Sequence, residues 1–160
     1  MEQRITLLAR TRENVQVYFY RTQDAEIRRM LPSANNTVEE ALAAYERASL
    51  PGADSFGRCI YAEGHYIGDI WCYGIDRGGT LNAMLSYCIF EKEYWKRGVA
   101  TAAVTLFLEQ IKKRFGLRSV GAFTYADNEG SVRVLEKNDF VCKERIEEDG
   151  RDSVYYEREL

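Results

Sequence analysis

The stretch Glu93–Val104, "EYWKRGVATAAV", runs from two aromatics and two cations into a glycine and then into small and apolar residues. Ala100, Val104, Phe107 and Ile111 recur at three- and four-residue spacing, and Gly116 supplies a stop. That spacing predicts a helix from about Gly98 to Phe115. The first four amides of such a helix lack intrahelical partners and lie at the positive end of its dipole. Gly98 and Ala100 keep side chains out of the way, Lys96 and Arg97 add charge, and Thr101 offers a hydroxyl. On physical grounds this is a site for an anion such as a pyrophosphate. The same residues would equally serve a tight strand-to-helix connection with both cations in water, and the stretch alone does not separate the two. The glycine-rich signatures of P-loop and Rossmann sites are absent, since the positions two before and two after Gly98 are Lys96 and Ala100.

Upstream, Phe56 to Ala62, His65 to Ile75 and Leu81 to Phe90 are rich in Tyr, Ile, Trp and Cys, with "EGH" and "DRGG" between them. They read as an antiparallel meander of three strands. Downstream, Arg118 to Tyr125 reads as a strand and Asn128 to Lys137 as a helix. Val141 to Ile146 and Ser153 to Glu157 read as strands joined by the turn "EEDG". The passage strand, helix, strand implies a right-handed crossover and a locally parallel pair. Nearer the N-terminus, Thr37 to Glu40 is a capping box for a helix continuing through Ala41 to Ala48. Asp24 to Leu31 reads as a short helix stopped by Pro32. Val15, Val17 and Phe19 alternate as in a strand, while Val15, Tyr18 and Phe19 fit a helix face, so periodicity does not decide there. The order of elements is that of a mixed α/β sheet with helices on both faces.

The 160 residues suit one domain, 1–160, with a real core. At 46% hydrophobic and 29% charged, the composition is that of a soluble globular protein. No apolar run approaches the roughly 18 residues of a membrane span, and "MEQRITLLARTREN" carries no cleavage site of the secretory kind. A net charge of -3 argues against nucleic acid as the main ligand. Cys59, Cys72, Cys88 and Cys142 lack metal-ligand spacing, and His65 is the one histidine, so no metal site is expected. The cysteines read as reduced thiols of a cytosolic protein, and a nucleophilic Cys88 would have only that one histidine to activate it. His65 itself reads as a surface turn residue.

"YWKRGVATAAV" resembles the acetyl-CoA pyrophosphate loop of the GNAT N-acetyltransferases, with Trp95, Gly98 and Ala100 at its marked positions. About 30 residues on, after one strand, "NEGSVRVLEKNDF" is similar to a second motif. It is that of the branch holding the ribosomal-protein N-terminal alanine and serine acetyltransferases. Asn128, Ser131, Val134, Leu135, Glu136, Lys137 and Phe140 match it. The two motifs in this order are far more specific than either alone. The resemblance runs from roughly residue 5 to 158. It implies a mostly antiparallel, splayed central sheet flanked by helices, and it makes Val15 to Tyr20 helical.

The resemblance also implies a chemistry. Acetyl would pass from acetyl-CoA directly to a primary amine, on a small molecule or a protein N-terminus, without metal or acyl-enzyme. The enzyme would work in the cytoplasm, and the family, in which dimers are common, offers a homodimer by analogy. Backbone amides of Arg97, Gly98, Val99, Ala100 and Thr101 would hold the pyrophosphate. The pantetheine arm would pair with the strand end at Ile89 and Phe90 and with Asn128. Lys96, Arg133 and Lys137 are candidates for the adenosine phosphates. The family's proton-donating tyrosine is here Leu135, so Ser131 becomes the candidate donor to the departing thiolate. The family's glutamate on the strand before the loop is Met84, and its glycine is Ser86. Tyr87, Asp69 or a water chain would have to take up the amine's proton. The missing glutamate leaves a non-catalytic acyl-CoA-binding module of the same fold as the alternative. Asp139 stands where the family has a left-handed glycine before Phe140, a conformation Asp tolerates at some cost.

Overall fold

The computed structural model describes residues 4–31 and 35–160, so the stop assigned to Pro32 lies outside the described residues. The described elements in chain order are β1 (Ile5–Ala9), α1 (Arg12–Arg21), α2 (Ala25–Met30), α3 (Val38–Ala48), β2 (Phe56–Ala62), β3 (His65–Tyr73), β4 (Asn82–Ile89), a 3-10 turn (Lys92–Tyr94), α4 (Val99–Phe115), β5 (Ser119–Tyr125), α5 (Glu129–Lys137), β6 (Val141–Glu148) and β7 (Arg151–Glu159). The strands form one seven-stranded sheet in the order β1-β2-β3-β4-β5-β7-β6. Every neighbouring pair is antiparallel except β4 and β5, which the α4 crossover makes parallel.

The local signals act as the sequence suggests. Thr11 and Asn14 form a capping box that starts α1, which settles Val15 to Tyr20 as helix. Asp24 caps α2 and Thr37 caps α3 through their side chains. β1 carries no sequence signal of its own: five residues, mostly exposed or half-buried, give no clear alternation. It forms because β2 offers an edge, with Ile5 opposite Ala62 and Ala9 opposite Arg58. Asp139 does take the left-handed conformation (φ 66°) in the bend between α5 and β6.

The two faces of the sheet are covered by different helices. Ile60, Ile70, Leu85 and Val120 pack with Val104, Phe107 and Ile111 of α4 and Leu135 of α5, each at most 2% exposed. On the opposite face, Tyr18 of α1 meets Trp71 and Phe90 edge-on. α3 backs α1: Tyr45 bonds to the Arg10 carbonyl at 3.3 Å, and Arg12 pairs with Glu46. One buried side chain locks α4 to α5. Asn138 donates to the carbonyls of Thr101 (3.1 Å) and Val134 (3.2 Å) and accepts from the Thr105 hydroxyl (2.7 Å). The first turn of α4 is thereby fixed relative to α5.

The feature that positions the site is a break in the sheet. β4 and β5 pair only at Asn82 with Ser119, Ala83 with Val120 and Met84 with Gly121. Beyond Met84 the strands part, while β4 continues to Ile89 and β5 to Tyr125. β5 keeps its partner β7 along its whole length, so the opening lies between β4 and β5 alone.

Candidate active site

The opening leads into a cavity of about 640 Å³. One end lies at the mouth of α4. Gly98 is its N-cap, with φ 78° and no side-chain cap. A Cβ at Gly98 would meet no protein atom within 4 Å, so the glycine is required by its left-handed backbone and not by crowding. The first intrahelical bond runs from the Ala102 amide to the Gly98 carbonyl at 3.1 Å. The amides of Val99, Ala100 and Thr101 are therefore left without intrahelical acceptors. All three residues line the cavity, as do Gly98 and Lys96. Arg133 and Lys137 of α5 bring further cations to the same space. Uncapped amides, the helix dipole and three cations make this end fit for a pyrophosphate and its neighbouring phosphates.

The other end is the gap between the strands. The Phe90 amide donates to the Ile67 carbonyl of β3 at 2.9 Å. Successive strand residues turn their backbone groups to opposite sides, so Tyr87 and Ile89 turn theirs toward the gap. The indole of Trp95 donates to the Ile89 carbonyl at 2.8 Å. This is what the tryptophan of the loop does: it ties the loop to the end of β4 and occupies that acceptor. The Ile89 amide and the Tyr87 backbone remain for an extended ligand laid along β4.

Within the gap, the Tyr87 hydroxyl lies 2.9 Å from Ser131 Oγ and 3.3 Å from the Ser131 carbonyl. Asn128 caps α5 by accepting from the Ser131 amide at 3.3 Å, so the serine hydroxyl is not spent on capping. Burial pushes the Tyr87 phenol up, against a smaller downward pull from its bond to Ser131. At neutral pH Tyr87 is a neutral proton donor and a poor base. Cys88 is among the lining residues, and burial pushes its thiol up to about 12, so it is no nucleophile at neutral pH.

Asp69, considered above as a base, is placed elsewhere. It is 3% exposed, hydrogen-bonded by the Tyr66 hydroxyl and 3.3 Å from the Arg10 guanidinium. Burial pushes its carboxyl up while Arg10 and Tyr66 pull it down. It does not line the cavity. Its register partner Cys88 lies between it and that space.

Residues 4–141 match the acetyltransferase (GNAT) domain family. The chain belongs to the GNAT acetyltransferase family. Among solved structures it is similar to Mycobacterium smegmatis RimJ in complex with CoA-disulfide, at TM-score 0.81 and 17% identity, covering 97% of this chain and 81% of that one. It is similar also to the aminoglycoside acetyltransferase AAC(6')-Ib in complex with coenzyme A, at TM-score 0.81 and 14% identity, covering 98% and 95%. RimL, a ribosomal-protein alpha-N acetyltransferase solved with coenzyme A, follows at TM-score 0.80 and 16% identity, covering 98% and 94%. At such identities these likenesses speak for the fold. A comparison with curated proteins found no match.

For this GNAT acetyltransferase, whose donor is acetyl-CoA, the structure gathers most of the residues singled out from sequence around one cavity. Tyr87, Ile89, Lys96, Gly98, Val99, Ala100, Thr101, Asn128, Ser131, Arg133 and Lys137 all line it. Two side chains stay outside. Phe90 is 3% exposed and packs against Tyr18 and Tyr66 on the opposite face. Arg97 lies over the Tyr94 ring at 5.9 Å, so only its backbone belongs to the loop. The wall formed by Glu26, Ile27, Met30 and Leu31 was not anticipated. Six helical residues are too few for a periodic signal, and nothing in "AEIRRM" says which strands it faces. Among the described residues no cluster of side chains could hold a metal ion, and no helix is long and apolar enough to cross a membrane.

Proposed function

We propose that this acetyltransferase moves acetyl from acetyl-CoA directly to a primary amine in the gap between β4 and β5, with Ser131 and Tyr87 handling the thiolate. The observation that carries the reading is the hydroxyl pair Tyr87–Ser131 at 2.9 Å inside the same cavity whose far end holds the uncapped mouth of α4. The thioester supplies the activated acetyl group. The chain's own groups fix it from both ends. Amides from Gly98 to Thr101 and the cations Lys96, Arg133 and Lys137 hold the phosphates. The Tyr87 backbone and the Ile89 amide, with Asn128, hold the arm. An amide facing the gap there is also suited to polarise the thioester carbonyl.

The attacking amine must be neutral, and the departing sulfur needs a proton or a hydrogen bond. With Tyr87 donating to Ser131 Oγ, the serine hydroxyl is free to donate to the sulfur. With Met84 in place of a carboxylate, and Asp69 buried against Arg10, the proton leaves the amine through water in the open end of the cavity. Catalysis on this account is mainly positioning. The acceptor is an amine, either a protein N-terminus or a small molecule. The free thiols, among them buried Cys59 and Cys72, fit a reducing cytoplasm.

The test is release of free thiol from acetyl-CoA in the presence of an amine panel of N-terminal peptides, polyamines and aminoglycosides, with mass spectrometry of the acceptor. The account expects thiol release matched by acetylated amine. Tight acetyl-CoA binding with no release by any amine would favour the non-catalytic binding module.

A further inference from the structure

Past Tyr87, toward the point where the strands rejoin, the gap holds a smaller space of about 40 Å³. It continues the main cavity, since Met30, Leu31, Tyr87, Asn128 and Ser131 line both. It lies just beyond the last paired residues, Met84 and Gly121. A ligand threaded along the gap from the mouth of α4 reaches this apex last, with its end beside the Tyr87–Ser131 pair. At about 10–15 Å³ per water-sized group, such a space takes about three. An acetyl group has three non-hydrogen atoms. Propionyl and butyryl add one and two methylenes.

The walls of this space differ in how far they can yield. Leu85, Ala122 and Leu135 are at most 2% exposed and belong to the close-packed core. Met30 and Phe123 form another part of the wall, and Phe123 is 47% exposed. Both are held from β7. Arg151 donates to the Arg29 carbonyl at 2.9 Å, touches Met30 Sδ at 3.8 Å, pairs with Asp127 at 3.1 Å and lies 3.4 Å over the Tyr125 ring. The Phe123 ring packs against Tyr155 with centroids 4.8 Å apart. A side chain pinned in this way cannot swing aside to admit a longer chain without breaking those contacts.

We propose that Met30 and Phe123 form an acyl-length gauge that admits acetyl and rejects longer acyl groups. The inference rests on the placement of acetyl-CoA given under the proposed function. It makes these residues specificity determinants, acting on the end of the acyl chain.

The experiment is calorimetric titration of the full chain with CoA, acetyl-CoA, propionyl-CoA and butyryl-CoA at one salt concentration, which needs no knowledge of the acceptor. The expected result is that acetyl-CoA binds tightest of the three acyl forms. Each added methylene should weaken binding by about 10-fold or more, within the roughly 10–200-fold range for one methylene in a fitted pocket. Met30→Ala and Phe123→Ala, each checked by thermal melting, should bring butyryl-CoA to within about threefold of acetyl-CoA. Equal affinity of the wild type for all three acyl forms overturns the gauge. So does a pair of folded variants that keep the wild-type ratio. If none of the four ligands binds, the placement of acetyl-CoA itself fails, a result distinct from binding without discrimination.

Discussion

Removing the hydroxyl of Ser131 is the perturbation with the clearest arithmetic. A positioned general acid is worth roughly 10²–10⁴ in rate. Ser131 belongs at the low end. Water reaches the open cavity, so the sulfur would not be left without any donor. Ser131→Ala should therefore lower kcat about 10²-fold, or about 2.7 kcal/mol of transition-state stabilisation. KM for acetyl-CoA should hold within about twofold, because the phosphates are held at the other end of the cavity. Tyr87→Phe keeps the serine donor and removes only what orients it. Its effect should be about 10-fold in kcat, with about 1 kcal/mol lost in stability from one buried hydrogen bond. In the double variant the two effects should not multiply, since Tyr87 acts through Ser131. The assay is thiol release at saturating acetyl-CoA with the best acceptor of the panel. A Ser131→Ala enzyme within twofold of wild type in kcat would refute the assignment. So would a Tyr87→Phe effect that multiplies in full with that of Ser131→Ala.

Gly98→Ala forces alanine into φ 78° and should cost about 1 kcal/mol in a urea titration, with acetyl-CoA affinity falling as the first turn of α4 distorts. Asn138→Ala removes three hydrogen bonds, two of them between α4 and α5, and should cost about 2–3 kcal/mol, with weaker CoA binding by calorimetry because the α4 mouth loses its anchor. Asp69→Ala strands the Arg10 guanidinium, 21% exposed, and should cost about 3 kcal/mol in urea. Burial raises the folded-state pKa of Tyr18, Tyr66 and Tyr87. A raised folded pKa gives a contribution fully present below the unfolded value and lost above it. The urea midpoint should therefore be insensitive to these groups below about pH 10 and fall above it.

How far the sequence could be read follows from how local each signal is. α4 was legible because its apolar spacing and its two glycine ends all lie within one helix. The second motif was legible because Asn128, the cap of α5, and Ser131 sit three residues apart. The Phe90 side chain stays outside the cavity because consecutive strand residues point to opposite faces: Ile89 lines the cavity, and its neighbour packs under α1. Asp69 looked available because its partner Arg10 lies far away in sequence, just past the end of β1, a strand that itself went unread. The α2 wall is a tertiary product. Lys92 holds Asp24 and Glu26 at 3.0 and 2.9 Å, and Arg151 holds the other end. No run of residues in α2 announces either contact.

The central claim is that coenzyme A lies from the mouth of α4 into the gap between β4 and β5. Amide hydrogen exchange with and without CoA tests it directly. The account predicts slowed exchange at the amides of Val99, Ala100 and Thr101 and at Tyr87 and Ile89, with β1 and β6 unchanged. CoA binding that leaves those five amides exchanging as in the free protein would contradict it.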